Sequence, residues 1–315
     1  MWLLLKYTLL YAAVLMLVAL GGMFSERSGV INIALEGIMV IGGLMGVVMI
    51  NVLDAAGTPI FLAILIAILA SALAGMLYSS LLAFSAINLK ADQTIGGTAL
   101  NLLATAVAMV IAKRINGSDS PKITYSTNSN DWFNSSHFSF NVGPLTLNWF
   151  LLVTAAAVVL AWFILYRSRF GMRLMACGEH PQAADSVGIN VYKMRWAGVL
   201  MSGALGGIGG MAYIVPAVGD WNFEMGVAGM GFLALAVMIF GQWKPLNIAG
   251  AALFFAVFRA MANIFDSIPF LAALGWPKEI YNMMPFVASM VVLAFTSKKS
   301  RAPKAEGIPY DKGTR

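Results

Sequence analysis

The chain has 315 residues, of which 60% are hydrophobic and only 11% are charged, with a formal net charge of +6. Soluble domains carry roughly 25% charged residues, so this composition, with a mean hydropathy of +0.80, excludes a water-soluble globular domain. The single cysteine, Cys177, excludes an internal disulfide. The sequence therefore predicts a membrane protein.

Apolar segments follow one another along the chain. A helix needs about 20 apolar residues to cross a hydrocarbon core about 30 Å thick. The apolar segments cover residues 9–24, 30–52, 60–84, 95–111, 149–165, 196–218, 227–240, 246–265 and 281–295. The first has no signal-peptide cleavage site, so it is interpreted as a span. We predict an all-α, polytopic transmembrane helical bundle of about eight to ten spans, within residues 1–297.

Lysine and arginine set the predicted orientation, because short cytoplasmic loops are enriched in both. Placing the loop 167–195 in the cytoplasm brings most of the 20 basic residues to that side, with the C-terminus inside and the N-terminus outside. Residues 113–148 then form an external loop, either a cap over an external mouth or a solvated connector. Residues 298–315 are predicted to be a flexible, basic cytoplasmic tail near anionic lipid headgroups.

The second apolar segment contains polar residues that lipid would not accept. Asn32 and Glu36, followed by Gly37, interrupt it, and a charge in the bilayer is costly unless it faces a bundle interior or water. Either these residues shape a translocation path, or Glu36 is an interhelical hydrogen-bonding group. This segment and the short seventh one are each candidates for a broken or re-entrant helix.

The fourth segment opens with a polar helix face. Asp92 is predicted to cap the helix, and Gln93, Thr94 and Asn101 follow on a face rich in glycine and threonine. Such a face either lines a path or packs closely against another helix. The small residues of 202–210 are interpreted as a second close-packing face.

One further charge, Arg259, lies inside the eighth apolar segment. Lipid does not accept an unpaired guanidinium, so the sequence predicts a polar partner. Glu36 and Glu224 are the two candidate counter-ions.

The cytoplasmic loop contains the pattern of a short capped helix. Pro181 suits the first helical turn, and Gly188 suits the left-handed position beyond the end. Asn190 is predicted to cap the next span, which begins near residue 191. A helix of about two turns between two spans is either a docking element for a cytosolic partner or a connector.

Catalytic and nucleotide-binding signatures are missing. The chain has no GxxxxGK[ST] loop, no HExxH and no GxSxG. His137 and His180 fall in loops on opposite sides, and with Cys177 they do not have metal-site spacing. We therefore expect no catalytic residue, metal site or cofactor, and no ATP hydrolysis by this chain.

Two segments carry a resemblance to a known family. They read ERSGVINIALEG at 26–37 and GEHPQAADSVGINVYKMR at 178–195. The chain resembles the ABC importer permeases of the branched-chain amino acid, ribose and nucleoside type. It is most similar to the nucleoside permeases, often described as simple-sugar permeases, that work with lipoprotein nucleoside receptors.

The resemblance implies a type II-like importer fold with a pore between two permease subunits, which form a heterodimer in many nucleoside systems. It also implies cytosolic ABC ATPase subunits, an external substrate-binding lipoprotein, a cell membrane location and no nucleic-acid partner. The residues that correspond to the coupling helix are Glu179, Pro181, Ala183, Ala184, Asp185, Gly188 and Ile189.

The resemblance ranks nucleosides first as substrates, with simple sugars or branched-chain amino acids as alternatives. A secondary transporter driven by an ion gradient is the alternative from another class, and an intramembrane enzyme is a third hypothesis.

Overall fold

The structure is a computed structural model that describes residues 2–124, 139–142, 145–216, 220–268, 273–296 and 301–313. Its α-helices are α1 (Trp2–Arg27), α2 (Leu35–Ala55), α3 (Ile60–Ala83), α4 (Gln93–Asn116), α5 (Trp149–Arg167), α6 (Arg169–Glu179), α7 (Pro181–Ser186), α8 (Val191–Ile214), α9 (Met230–Phe240), α10 (Pro245–Asn263) and α11 (Lys278–Thr296).

Within the described ranges, eight helical segments are long and apolar enough to cross a membrane. They are α1 to α5, α8, α9 with the 3₁₀ turn that precedes it, and α10. The prediction of an all-α, polytopic bundle is therefore confirmed. The last predicted apolar segment, 281–295, lies within α11, which contains Pro285.

Helix α8 lies at the centre of the bundle and packs against α1, α2 and α3. Its glycines allow this close approach, because a Cβ on Gly207 would overlap the carbonyl oxygen of Ser71 in α3. A Cβ on Gly203 would overlap the side chain of Ser79, and one on Gly210 would overlap the carbonyl oxygen of Met39 in α2. The small residues predicted to pack closely therefore do so, against α3 and against α2.

Two helices begin after irregular backbone that lies inside the bundle. Residues 28–34 are non-helical between α1 and α2, and Asn32 within them is fully buried. Helix α9 begins only at Met230, after a 3₁₀ turn at Phe223–Met225. Both interruptions fall in the segments that the sequence predicts as candidates for broken helices, and a side chain from another helix accepts a backbone N–H in each of them.

Among the described residues, four short strands form two small antiparallel pairs that the sequence does not predict. They are β1 (Lys122–Thr124), β2 (Ser139–Val142), β3 (Leu145–Asn148) and β4 (Asp220–Asn222). Strand β1 pairs with β4, and β2 pairs with β3. The predicted external loop 113–148 thus begins inside α4 and contains three strands, while residues 125–138 and 143–144 lie outside the described part.

The tail segment, residues 301–313, differs from the flexible tail that the sequence predicts. Ala305 and Tyr310 are buried, and the Ala305 N–H donates to the carbonyl of Gly178 in α6 at 2.8 Å. The charge of this segment predicts flexibility, yet Pro303, Ala305 and Tyr310 are buried, while Ile308 and Pro309 are exposed. The tail segment therefore lies at the same end of the bundle as α6.

Candidate functional site

The short helix α7 has the caps that the sequence predicts. Pro181 occupies its first turn, and Gly188 lies two residues beyond its end with a φ of 82°. The side chain of Asn190 accepts the Lys193 N–H at 2.9 Å and starts α8. A left-handed backbone favours glycine, so residues in the loop itself determine where α7 stops and α8 starts.

Helix α7 has an inner and an outer face. Pro181 and Ala184 are buried against the bundle. The outer face exposes Gln182, Ala183 and Ser186, and Val187 just beyond the helix is 75% exposed. The outer face of α7 is therefore exposed in this chain, and Val187 is the apolar side chain beside it.

The predicted coupling residues divide between these faces. Ala183 and Gly188 are exposed, whereas Asp185 and Ile189 are half-buried, and Ile189 packs beside Ala184. Glu179 lies just before α7, with its carboxylate 3.9 Å from the guanidinium of Arg27 at the end of α1. Three of the seven predicted residues, Pro181, Ala184 and Ile189, therefore lie on the inner side of α7, while Ala183 and Gly188 are exposed.

Sequence reasoning missed two features of this loop. Helix α6 is an amphipathic helix capped by Ser168, and the apolar spacing in RFGMRLMACGE could have indicated it. The second feature is the exposed Val187. The sequence shows a valine directly before the capping glycine, and this position could have indicated its exposure. Gly178 of α6 packs so closely on the backbone of Arg27 that a Cβ would overlap it.

The second site is a polar junction where the N-termini of α2 and α9 meet. Glu36, in the first turn of α2, accepts the N–H of Gly229 at 2.8 Å and the N–H of Gly231 at 2.7 Å. The carboxylate thus lies at the positive ends of two helix dipoles, which favour an anion. The Glu36 carboxylate therefore has its hydrogen-bond partners at the start of another helix. This is one of the two interpretations that the sequence allows.

Side chains from α4 and α8 hold the irregular segment before α2. Asn101 accepts the Gly37 N–H at 2.8 Å and donates to the carbonyl of Ile33 at 2.9 Å. Gln93 accepts the Ile31 N–H at 2.7 Å. These bonds supply the partners that a helix would otherwise provide for this backbone.

The remaining path candidates have different surroundings. Asn32 is fully buried and donates to the Ser202 hydroxyl at 2.8 Å, whereas Thr94 is exposed on the first turn of α4. Asp92 caps α4 by accepting the N–H groups of Thr94 and Ile95, which confirms the predicted cap. The structure therefore brings most of the predicted path residues to one junction, where most of them bond to backbone.

The partners of Arg259 are aromatic, which corrects the predicted counter-ion. Its guanidinium donates to the Tyr213 hydroxyl at 3.3 Å and lies 5.7 Å from the ring centroid of Tyr11. Glu36 is instead engaged by the amides of α9, and Glu224 is exposed. A cation over an aromatic face is stabilised without a carboxylate, so charge alone could not identify the partner.

Replacing Glu36 is expected to destabilise the junction. Glu36→Leu leaves two amide groups without acceptors, so we expect the free energy of unfolding to fall by about 2 kcal/mol or more. Glu36→Gln keeps one acceptor oxygen and should lose less. Thermal unfolding of the detergent-purified protein measures both, with Glu224→Gln as the exposed control. Equal stability of Glu36→Leu and the parent would contradict this account of the junction.

The structure defines a polytopic helical membrane protein with a short capped helix between two of its spans. Residues 4–294 match the family described as branched-chain amino acid transport system / permease component, and the chain belongs to this family.

Three relatives are transport proteins. The chain is 39% identical over 312 residues to the nucleoside ABC transporter permease protein NupC of Lactococcus lactis subsp. cremoris, covering 96% of this chain and 95% of the relative. It is 37% identical over 326 residues to the guanosine ABC transporter permease protein NupQ of Bacillus subtilis, covering 98% and 96%. A more distant match is the nucleoside ABC transporter permease protein NupB of the same Lactococcus lactis, 27% identical over 173 residues, covering 53% and 46%. A comparison with solved structures gives no significant match.

Proposed function

We propose that this chain is the membrane-spanning permease subunit of an ATP-driven importer that carries nucleosides across the cell membrane. The main support for the proposal is the sequence similarity to NupC and NupQ over nearly the whole chain. The chain itself hydrolyses nothing and supplies the path. The loop with α7 and the C-terminus lie on the cytoplasmic side, in keeping with the excess of lysine and arginine there.

In this proposal α7 docks in a groove of a cytosolic ABC ATPase. The coupling residues are Glu179, Pro181, Ala183, Ala184, Asp185, Gly188 and Ile189, to which we add Gln182, Ser186 and Val187. The two-faced structure of α7 supports this division, since a seated inner face leaves the outer face available to a partner. Closure of the ATPase would displace α7 and shift the permease between outward-open and inward-open states.

The translocation path passes the polar junction in this proposal. Glu36 and Thr94 are the members with exposed surface, so they are the candidates to meet a solute or the water around it. Asn32, Gly37, Gln93 and Asn101 shape the path by fixing the break before α2. Carboxylate, amide and hydroxyl groups of this kind suit a polar, uncharged solute such as a nucleoside.

A second, nonidentical permease subunit completes the pore. The presence of two nucleoside permease proteins in Lactococcus lactis that both resemble this chain supports a heterodimer. An external substrate-binding lipoprotein delivers the solute, and membrane lipid covers the apolar faces. Nucleic acid is not a partner.

Uptake measurements test the substrate. In cells that lack this chain, uptake of labelled guanosine and uridine should fall to background and return when the gene is restored, while ribose and leucine uptake stay unchanged. Lost ribose or leucine uptake with normal nucleoside uptake would assign the chain to that substrate instead. Nucleoside uptake that survives inactivation of the partner ATPase would indicate an ion-driven transporter.

A further inference from the structure

The stretch 305–311, within the tail segment, lies against the cytoplasmic loop. The Ala305 N–H donates to the Gly178 carbonyl of α6 at 2.8 Å. The Tyr310 side chain is buried in one apolar cluster with Cys177, Ala184 and Val191. Ala184 is the inner-face anchor of α7, so Tyr310 helps to form the seat of the proposed coupling helix.

The same stretch also contacts elements of the membrane bundle. The Gly307 N–H donates to the Gly29 carbonyl, just after α1, at 3.2 Å. The Lys90 ammonium, before α4, lies 2.9 Å from the Asp311 carboxylate. Gly29 and Lys90 lie in the two connections that lead into α2 and α4, which are helices of the polar junction.

A buried arginine of the bundle forms a hydrogen bond with the tail segment. Arg195, near the start of α8, is 1% exposed, and its Nη1 donates to the Ile308 carbonyl at 2.9 Å. Its Nε and Nη2 have no hydrogen-bond partner among the described residues. A buried cation is costly unless it is hydrogen-bonded, so loss of the tail would remove a needed acceptor.

Helix α7 needs such support because it has only six residues. Helices much shorter than about 12 residues are not stable by themselves in water, so packing determines the position of α7. In the apolar cluster beneath it, Tyr310 is the large side chain that comes from outside the loop and the start of α8. Its ring also packs edge-on against Tyr192 at a centroid distance of 5.4 Å.

We propose that residues 305–311 form a positioning clamp that holds α7 against the membrane helices and transmits its displacement to the connections before α2 and α4. This inference rests on the proposed role of α7 as the coupling helix. Without the clamp, α7 still contacts the ATPase, but its displacement is transmitted less well to the connections before α2 and α4. Hydrolysis then continues while uptake falls.

The single cysteine gives a direct measure of clamp docking. Burial raises the pKa of the Cys177 thiol to about 11, so the thiol is protonated near neutral pH and reacts slowly with maleimides. Opening the clamp exposes Cys177 and speeds its labelling. The complex, purified with its natural partner subunits and reconstituted in vesicles, then allows two readouts on one sample: the labelling rate of this chain and the nucleoside taken up per ATP hydrolysed.

Tyr310→Ala is the test variant, and Lys312→Ala, exposed on the same tail segment, is its control. We expect Tyr310→Ala to speed labelling by about 10-fold or more. We expect it to lower uptake per ATP by about 5-fold or more, while the control changes neither. Should Tyr310→Ala fail to reach the membrane, Asp311→Asn removes the charge that pairs with Lys90 and keeps a side-chain oxygen as an acceptor. About 2-fold changes in both readouts are then expected.

Unchanged labelling, or faster labelling with an unchanged uptake per ATP, would overturn the clamp. A separate substitution in α7, Val187→Asp, distinguishes this failure from a failure of the proposed function. If Val187→Asp stops uptake and Tyr310→Ala leaves both readouts at parent values, only the clamp is wrong. If Val187→Asp transports normally, the coupling role of α7 itself is wrong.

Discussion

Val187→Asp is expected to stop nucleoside uptake while leaving the permease folded in the membrane. The valine is 75% exposed, so the substitution costs little in the permease alone. In a docked complex it would bury a carboxylate without a partner, and we expect uptake to fall by about 10-fold or more.

The matched control is Val187→Leu, which keeps the apolar contact and should retain uptake. Co-purification of the ATPase with the tagged permease shows whether docking is lost. Normal uptake and normal co-purification of Val187→Asp would mean that the outer face of α7 meets no partner.

Gly207→Val is expected to prevent formation of the folded permease. A side chain at this position in α8 would meet backbone atoms of Ser71 and Gly75 in α3, and backbone cannot move aside as a flexible side chain can. Overpacking of a core costs about 1–3 kcal/mol, and this contact between helix backbones belongs at the upper end. We therefore expect little protein in the membrane fraction and aggregation on detergent extraction.

Gly250→Val in α10 is the control, since a Cβ on Gly250 meets no heavy atom within 4 Å. Gly250→Val introduces the same side chain into a helix at a position with room for valine. Elution of both variants as single symmetrical peaks in size-exclusion chromatography would argue against the central packing of α8.

The short-range features of this protein were predictable from sequence. The caps of α7, α8 and α4 were found because Pro181, Gly188, Asn190 and Asp92 act on backbone within a few residues of themselves. The spans were found because each must be apolar over its own length. The small residues of 202–210 indicated close packing, since few other functions need so many glycines together.

Contacts between residues that are far apart in the sequence could not be predicted. Glu36 bonds to Gly229 and Gly231, 193 and 195 positions away, and no local pattern connects them. Charge complementarity predicts a carboxylate partner for Arg259, yet the fold places Tyr11 and Tyr213 there.

The sequence by itself determined that this chain resides in a membrane, how many spans the described ranges contain to within one or two, and where a short capped helix lies between two of the spans. These properties depend on solvent and on neighbours within a helical turn. Only the tertiary structure decided which face of α7 is exposed, that Glu36 joins two helix N-termini, and that Tyr310 of the tail segment packs beneath α7. Each of those depends on which surfaces meet when the bundle closes, because a buried polar or apolar group takes the partner that the fold brings to it.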